Sequence, residues 1–354
     1  MATRKLNPNN NYVAEVFYFL SSSGLMVGGV ALLFFCSLSF SPLPAKQTSQ
    51  FLSFPVAPVR AGVGRDITVA PVVNLPASRP TMPLKKDQSQ FNLPVTAVSL
   101  LVVDDKTNRV LYTKNADEVR SLASLSKLVS ALVLLDLNLD WATTTKILAE
   151  DWDGASHHIN VGEKFTAEDL WNVGLIGSSN TAINALVRVS GVSRERFVEL
   201  MNEKVNKLGL APMRFFDPTG LDSRNVGNAR DVAKILSAAL KQEKIASALK
   251  VGEYYAHPLD SKKQRRVWTT NWLLVNWSPN NFPKDDIAGK TGFINDSLYN
   301  FAVRLGDDAG HRVRVVVLGA ASNEARFTEA RDLAQWTFNH YVWPDEAGYD
   351  QLAE

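Results

Sequence analysis

A stretch of 25 residues without one charged side chain, Val16 to Phe40, organises this chain before any other feature is read. As a helix rising about 1.5 Å per residue it crosses the roughly 30 Å hydrocarbon layer of a bilayer. Arg4 and Lys5 precede it, and basic flanks stay on the cytoplasmic side. Residues 1–15 are therefore read as a short cytoplasmic N-terminus, residues 16–40 as a single-pass anchor, and everything beyond as exported. The alternative is a cleaved signal peptide with Ser37-Leu38-Ser39 as its small-x-small site, although such apolar cores run only about 7 to 15 residues. Either way the body of the chain leaves the cytoplasm. Cys36, the sole cysteine, falls inside the run, which removes intramolecular disulfides and cysteine-rich metal sites from consideration.

Residues 41–94 read as a linker, because nine of the sixteen prolines fall between positions 42 and 94 among Ser, Gln and Thr, with no sustained period. Extended like polyproline at about 3.1 Å per residue, this segment reaches on the order of 160 Å. Charge follows the same divisions. Residues 1–41 carry +1 and residues 42–94 carry +4, so a whole-chain charge of +2 leaves −3 for the remainder. That balance lacks the basic surplus of a nucleic-acid binder. No nucleic acid, metal or cofactor is expected as a partner.

The segment from 95 to 343 shows the periodicities of a folded domain, followed by an acidic tail at 344–354. Val98 to Val103 and Arg109 to Lys114 are β-rich runs around a turn at 104–108. Leu125 to Leu139 is apolar on nearly every face and predicts a buried helix. Thr166-Ala167-Glu168-Asp169 is a capping-box pattern, and Arg194 to Leu208 is a helical run stopped by Gly209. Asp286 to Thr291, Ser297 to Leu305 and Arg312 to Ala320 read as three strands before a final helix from Asn323 to about Tyr341. Two strands, a helical insert, three strands and a helix predict an α/β (α+β) domain whose sheet is assembled from both ends.

Three short motifs carry the chemistry. Ser124-Leu125-Ser126-Lys127 puts a hydroxyl and an amine one turn apart at the start of the buried helix. A Lys in an apolar helix is costly unless used, and burial lowers its pKa toward that of a usable base. A second copy, Ser247 to Lys250, reads as an ordinary surface helix end. Ser178-Ser179-Asn180 lies between two apolar helical runs; Ser223-Arg224-Asn225 and Ser278-Pro279-Asn280 match the same S-x-N pattern and read as turns or caps. Lys290-Thr291-Gly292 sits on a predicted strand, where Gly permits close approach and Lys with Thr can donate to a carboxylate.

The ordered set SxxK, SxN, KTG resembles the penicillin-binding protein and serine β-lactamase superfamily. Flanking phrases make the chain most similar to the low-molecular-mass D-alanyl-D-alanine carboxypeptidases: Asp217-Pro218-Thr219-Gly220-Leu221, Asn271-Trp272-Leu273-Leu274 and Gly289 to Phe293 have counterparts there in that order. The resemblance implies a five-stranded antiparallel sheet flanked by helices, with an all-helical lobe. It also implies a serine-type D-Ala-D-Ala carboxypeptidase acting on peptidoglycan stem peptides, and β-lactams as covalent inhibitors. Ser124 is then the nucleophile and Lys127 its base, while Ser178 and Lys290 relay a proton to the leaving amine. Asn180, Thr291, Gly292 and Phe293 bind substrate, with the backbone N–H groups of Ser124 and Phe293 as oxyanion hole. Ile294 and Ser297-Leu298 depart from the family, which usually shows a Thr and an Ala-Gly pair there. A peptidoglycan D,D-endopeptidase would use the same residues and is the main alternative. A β-lactamase and a non-catalytic wall-binding module are further ones: Glu168 to Asn172 matches a deacylating element only in part and precedes Ser178, and all three motifs are intact. No G-x-S-x-G elbow supports a Ser-His-Asp hydrolase, and His157-His158 with Asp151 and Asp153 is at most a faint metal pattern.

Overall fold

Strands from the two ends of the domain meet in one five-stranded sheet, in the order Ala288–Ile294, Leu298–Gly306, Arg312–Ala320, Ser99–Asp104, Val110–Lys114. Every neighbouring pair is antiparallel, as the resemblance implies. The computed structural model describes residues 81–153 and 158–353. The anchor read at 16–40, Cys36 and most of the linker lie outside the described residues. Among the described residues no helix is long and apolar enough to cross a membrane.

The sheet is covered on both faces, which explains why its central strands read as unbroken apolar runs rather than as alternation. From the Ser99–Asp104 strand, Leu101 and Val103 join a core with the helical lobe, while Leu100 and Val102 join a second core with the C-terminal helix. The helices in chain order are α1 (Lys127–Asp136), α2 (Ala167–Ile176), α3 (Asn180–Val189), α4 (Arg194–Lys207), α5 (Ala229–Leu240), α6 (Glu243–Leu249), α7 (Ala325–His340) and α8 (Tyr349–Ala353). Helices α1 to α6 fall in the insert between the two sets of strands, and α7 supplies Phe327, Ala330 and Leu333 to the second core. Polar side chains fix the helix starts: Thr166, Ser179, Ser193 and Asn228 each accept a backbone N–H three residues on. Gly209, with φ of 70°, ends α4 as predicted.

Several boundaries differ from the sequence reading. The helix expected from Leu125 starts as a 3-10 turn at Ala123–Ser126, and α1 proper begins at Lys127, because Ala123 takes a left-handed φ of 48°. The strand expected from Asp286 begins at Ala288, after a 3-10 turn at Lys284–Asp286 that follows Pro283. The folded unit also extends past both limits drawn at 95 and 343. Leu84 and Lys85 pair with Val342 and Tyr341, and the Phe91 ring meets Tyr112 and Trp336 edge to face. In the stretch read as an acidic tail, Tyr349 is fully buried and its hydroxyl donates to the Met82 carbonyl at 2.7 Å. These few apolar residues anchor both termini of the domain, and the prolines and acids around them hid that role.

Candidate active site

The Ala288–Ile294 strand is a sheet edge, and it lies against the 3-10 turn that carries Ser124. Gly292 makes this approach possible. A Cβ there would stand 2.7 Å from the Leu122 carbonyl oxygen and 3.2 Å from the Ser124 nitrogen. Gly220 presses on the same turn from the other side with φ of 92°, and a Cβ there would fall 1.9 Å from the Ala123 oxygen. Two glycines therefore let two chain segments clamp the backbone at the nucleophile.

Lys127 is fully buried, and its Nζ donates to Ser124 Oγ at 2.8 Å, to the Thr219 carbonyl at 2.7 Å and to Asn180 Oδ1. Burial pushes the amine down to about 7, against opposing pulls from Asp217 and Asp153. The partners explain how such an amine works as a base. The two carbonyl-type oxygens can only accept, so they take the two N–H bonds of the neutral amine, and its lone pair is left facing the Ser124 hydroxyl.

Those two oxygens are themselves held. Asn180 Nδ2 donates to Asp153 Oδ2 at 2.6 Å, and since a carboxylate only accepts, the Asn180 oxygen must point at Lys127. Asp153 also accepts from the Thr181 hydroxyl at 3.0 Å. Thr219 is presented by a loop organised around Asp217, whose Oδ1 accepts from the Thr219 and Gly220 backbone at 2.6 and 2.8 Å, and whose Oδ2 accepts from Asp222 at 2.7 Å. Asn225 braces that loop, accepting from Phe216 at 2.7 Å and donating to Ser126 Oγ and the Asp217 carbonyl.

Across the cleft Lys290, 1% exposed, donates to Ser178 Oγ at 2.6 Å and to the Thr291 carbonyl at 3.0 Å. Its pKa is driven well below the ordinary lysine range by burial, then by the neighbouring positive charges of Lys127 and Arg326. Ser178 takes φ of 60°, a left-handed conformation that aims its side chain and costs about 1 to 3 kcal/mol. The Thr291 hydroxyl donates to Thr270 Oγ1 at 2.6 Å, while the Phe293 ring lies outside the cluster, exposed and stacked on Tyr299 at 4.3 Å. Arg326, from α7, donates to the Gly292 carbonyl at 3.1 Å and fixes the strand from behind.

The structure thus gathers Ser124, Lys127, Ser178, Asn180, Lys290, Thr291 and Gly292 in one cleft. Asp153, read in the sequence only as part of a faint metal pattern, the Asp217 loop, read only as a family phrase, and Thr270 belong to it as well. Other pattern matches have ordinary duties. Lys250 is an exposed helix cap, Asn280 closes a loop, and Thr166 with Asp169 forms the predicted cap. Asn225, the third S-x-N match, is the loop brace described above. The faint metal pattern does not assemble: Asp151 accepts from Arg188 Nη2 at 2.7 Å, Asp153 serves Asn180, and His157 lies outside the described residues. No cluster of three or more metal-ligating side chains occurs among the described residues.

An antiparallel sheet with a helical lobe, and a Ser-Lys pair beside a second Ser-Lys pair whose Lys sits on the edge strand, define a serine acyl-enzyme class with the penicillin-binding fold. The chain belongs to the D-alanyl-D-alanine carboxypeptidase family, peptidase family S11, whose sequence profile matches residues 85–322. It is therefore a serine DD-peptidase, a hydrolase. Its relatives include a D-alanyl-D-alanine endopeptidase of Pseudomonas aeruginosa, 29% identical over 67% of this chain and 76% of that one. They also include carboxypeptidase DacF of Bacillus subtilis, 26% identical over 69% of this chain and 63% of that one. Among solved structures, the Streptomyces K15 DD-transpeptidase superposes with a TM-score of 0.63 at 26% identity, covering 71% of this chain and all of that one. Penicillin-binding protein D2 of Listeria monocytogenes in its ampicillin-bound form gives 0.60 at 26%, with 70% of this chain and all of that one covered.

Proposed function

We propose that this chain cleaves peptidoglycan stem peptides at D-alanine through an acyl-enzyme on Ser124, and that its main substrate is the D-Ala cross-link between two strands. The observation that carries the acyl-enzyme reading is the Lys127 amine, buried, lowered to about 7, and 2.8 Å from the Ser124 hydroxyl oxygen. Lys127 takes the hydroxyl proton as Ser124 Oγ bonds to the substrate carbonyl carbon. The developing oxyanion sits between the Ser124 and Phe293 N–H groups, an arrangement in which one donor is typically worth about 2.7 to 4 kcal/mol. The carbon–nitrogen bond then breaks, and the leaving amine receives a proton through Ser178 and Lys290. Water attacks the ester, returns the Ser124 proton and releases the shortened peptide. Asn180 holds the substrate amide, and Lys290 with Thr291 holds the carboxylate beside the scissile bond. β-Lactams, which mimic acyl-D-Ala-D-Ala, acylate the same serine, and the ampicillin-bound relative supports this reading.

The sequence-based expectation was the carboxypeptidase reaction. Preference for cross-links is supported by relatives named as endopeptidases in Pseudomonas aeruginosa, Escherichia coli and Haemophilus influenzae, 28–31% identical to this chain. The test is to incubate the protein with pentapeptide monomers and cross-linked dimers in parallel. Dimer converted to monomers supports the proposal; loss of one alanine from the monomer, with dimers untouched, returns the assignment to carboxypeptidase. Absence of any β-lactam adduct on Ser124 of folded protein would remove the acyl-enzyme reading altogether. We further propose that residues 16–40 hold this activity on the outer face of the cytoplasmic membrane, a reading supported by the uncharged run and the preceding Arg4 and Lys5.

A further inference from the structure

Exposed indole rings come together beside the site just described. Trp268 and Trp277 are 36% and 54% exposed, with ring centroids 5.6 Å apart. The Arg266 guanidinium lies 4.3 Å over the Trp268 ring. The group is anchored, not splayed: Trp272 meets Trp277 at 6.2 Å and stacks on Phe327 of α7 at 5.2 Å. Trp268 ends the Arg265–Trp268 strand on its outward side, since Val267 beside it is buried and packs where a Gly177 Cβ would be. Large exposed aromatics held rigid and capped by a cation are what a recognition surface requires.

Position decides what this ledge meets. Thr270, two residues beyond Trp268, is the partner of the Thr291 hydroxyl. At no more than about 3.6 Å per residue, the ledge starts within about 7 Å of Thr270 along the chain. In the mechanism above, Ser178 and Lys290 face the departing amine, and Thr291 takes the carboxylate next to it, so whatever leaves continues toward Thr270. A terminal D-Ala ends there. The leaving group from a cross-link is a diamino-acid residue with a whole second stem peptide attached, and it carries further carboxylates. The hairpin from 253 to 268 is basic, with Lys262, Lys263, Arg265 and Arg266 against Glu253, Asp260 and the Glu163 that pairs with Arg265, a net +1; Arg266 pairs with Glu253, so Lys262 and Lys263 are the cations left to meet a carboxylate.

We propose that Trp268, Trp277 and Arg266 form a subsite for the leaving strand of a peptidoglycan cross-link, with the indoles receiving the apolar face of the acidic stem peptide and the basic hairpin its carboxylates. This inference rests on the cross-link reading of the active site. It predicts that the full-length protein with Trp268→Ala and Trp277→Ala together shows a KM for cross-linked dimers raised about tenfold, equivalent to about 1.4 kcal/mol. Hydrolysis of pentapeptide monomers and the rate of Ser124 acylation by a labelled penicillin should stay as in the parent, and Trp268→Phe should restore most of the dimer KM. Dimer cleavage unchanged in the double variant overturns the subsite, as does an equal loss on dimers and monomers. Parent protein that trims monomers but leaves dimers intact overturns the cross-link reading, and the subsite with it.

Discussion

The amine of Lys127, lowered from 10.5 to about 7 by burial, sets a pH dependence that can be worked out in advance. With that midpoint about half the sites hold a neutral amine at pH 7 and about 1% at pH 5, so Ser124 acylation should fall about fiftyfold between them. Above pH 8 the rate should level off. An amine at its ordinary value would be neutral in only about one site in 3,000 at pH 7, and the rate would climb about tenfold per unit beyond pH 9. Stability follows with a definite sign. Between about 7 and 10.5 the unfolded chain binds the proton that the folded protein has released, so stability rises with pH across that window. Below it the folded state is about 5 kcal/mol less favoured on this account than at the alkaline limit, from 1.36 kcal/mol per pKa unit. The assay is the pseudo-first-order acylation rate with a fluorescent penicillin from pH 5 to 9, alongside denaturant unfolding of parent and Lys127→Met across the same range. A rate that is flat throughout, or one that climbs without a break to pH 9, refutes the reasoning. So does an alkaline gain in stability that persists undiminished in Lys127→Met.

Asp153→Asn removes a negative charge that raises the Lys127 pKa and a carboxylate that orients Asn180. The midpoint of the acylation profile should move to lower pH and the plateau rate should drop about tenfold or more, the scale of losing a hydrogen bond to a charged group; an unchanged midpoint counts against this role. For the N-terminal segment, full-length protein should fractionate with membranes, and protease added from outside should release the domain by cutting between 41 and 80. A soluble mature form beginning near Phe40 would show instead that the segment is a cleaved signal.

What could be read in advance follows from how local each device is. Ser124 and Lys127 are three positions apart in a run otherwise apolar, so the sequence alone makes the amine conspicuous. Lys290 and Ser178 stand 112 residues apart, and only their place in an ordered set of motifs links them. Asp153 had no such support. Its partner Asn180 is 27 positions away, and an Asp in a loop beside Trp and Gly resembles any solvated turn. Thr270 was equally silent, since a Thr before Asn271 reads as strand polarity until Thr291 is seen against it. The helical insert and the sheet were legible because the apolar period is long and regular. The extension to Leu84 and Tyr349 was not, because single apolar residues among prolines and acids give no period to detect.

The departures from the family pattern sit where the backbone compensates for them. Leu298 occupies a position where φ is 56°, a conformation that glycine supplies without strain and leucine adopts at a cost of about 1 to 2 kcal/mol. Ser297, fully buried, holds the turn in that shape: its Oγ accepts from the Ile294 N–H at 3.1 Å and donates to the Leu298 carbonyl at 2.8 Å. Beyond the turn, Phe293 stacks on Tyr299, and Arg326 lies 5.4 Å from the Tyr299 ring while donating to the Gly292 carbonyl. The Leu298 side chain at this turn is 39% exposed. Ala123 and Ser178, two non-glycine residues with positive φ, lie in the segments that carry the two site serines. Such strain persists only where the surroundings over-determine it. Here a sheet buried on both faces and the Asp217 loop supply that constraint, so the Lys127 amine and the Ser124 hydroxyl are held in place before any substrate arrives.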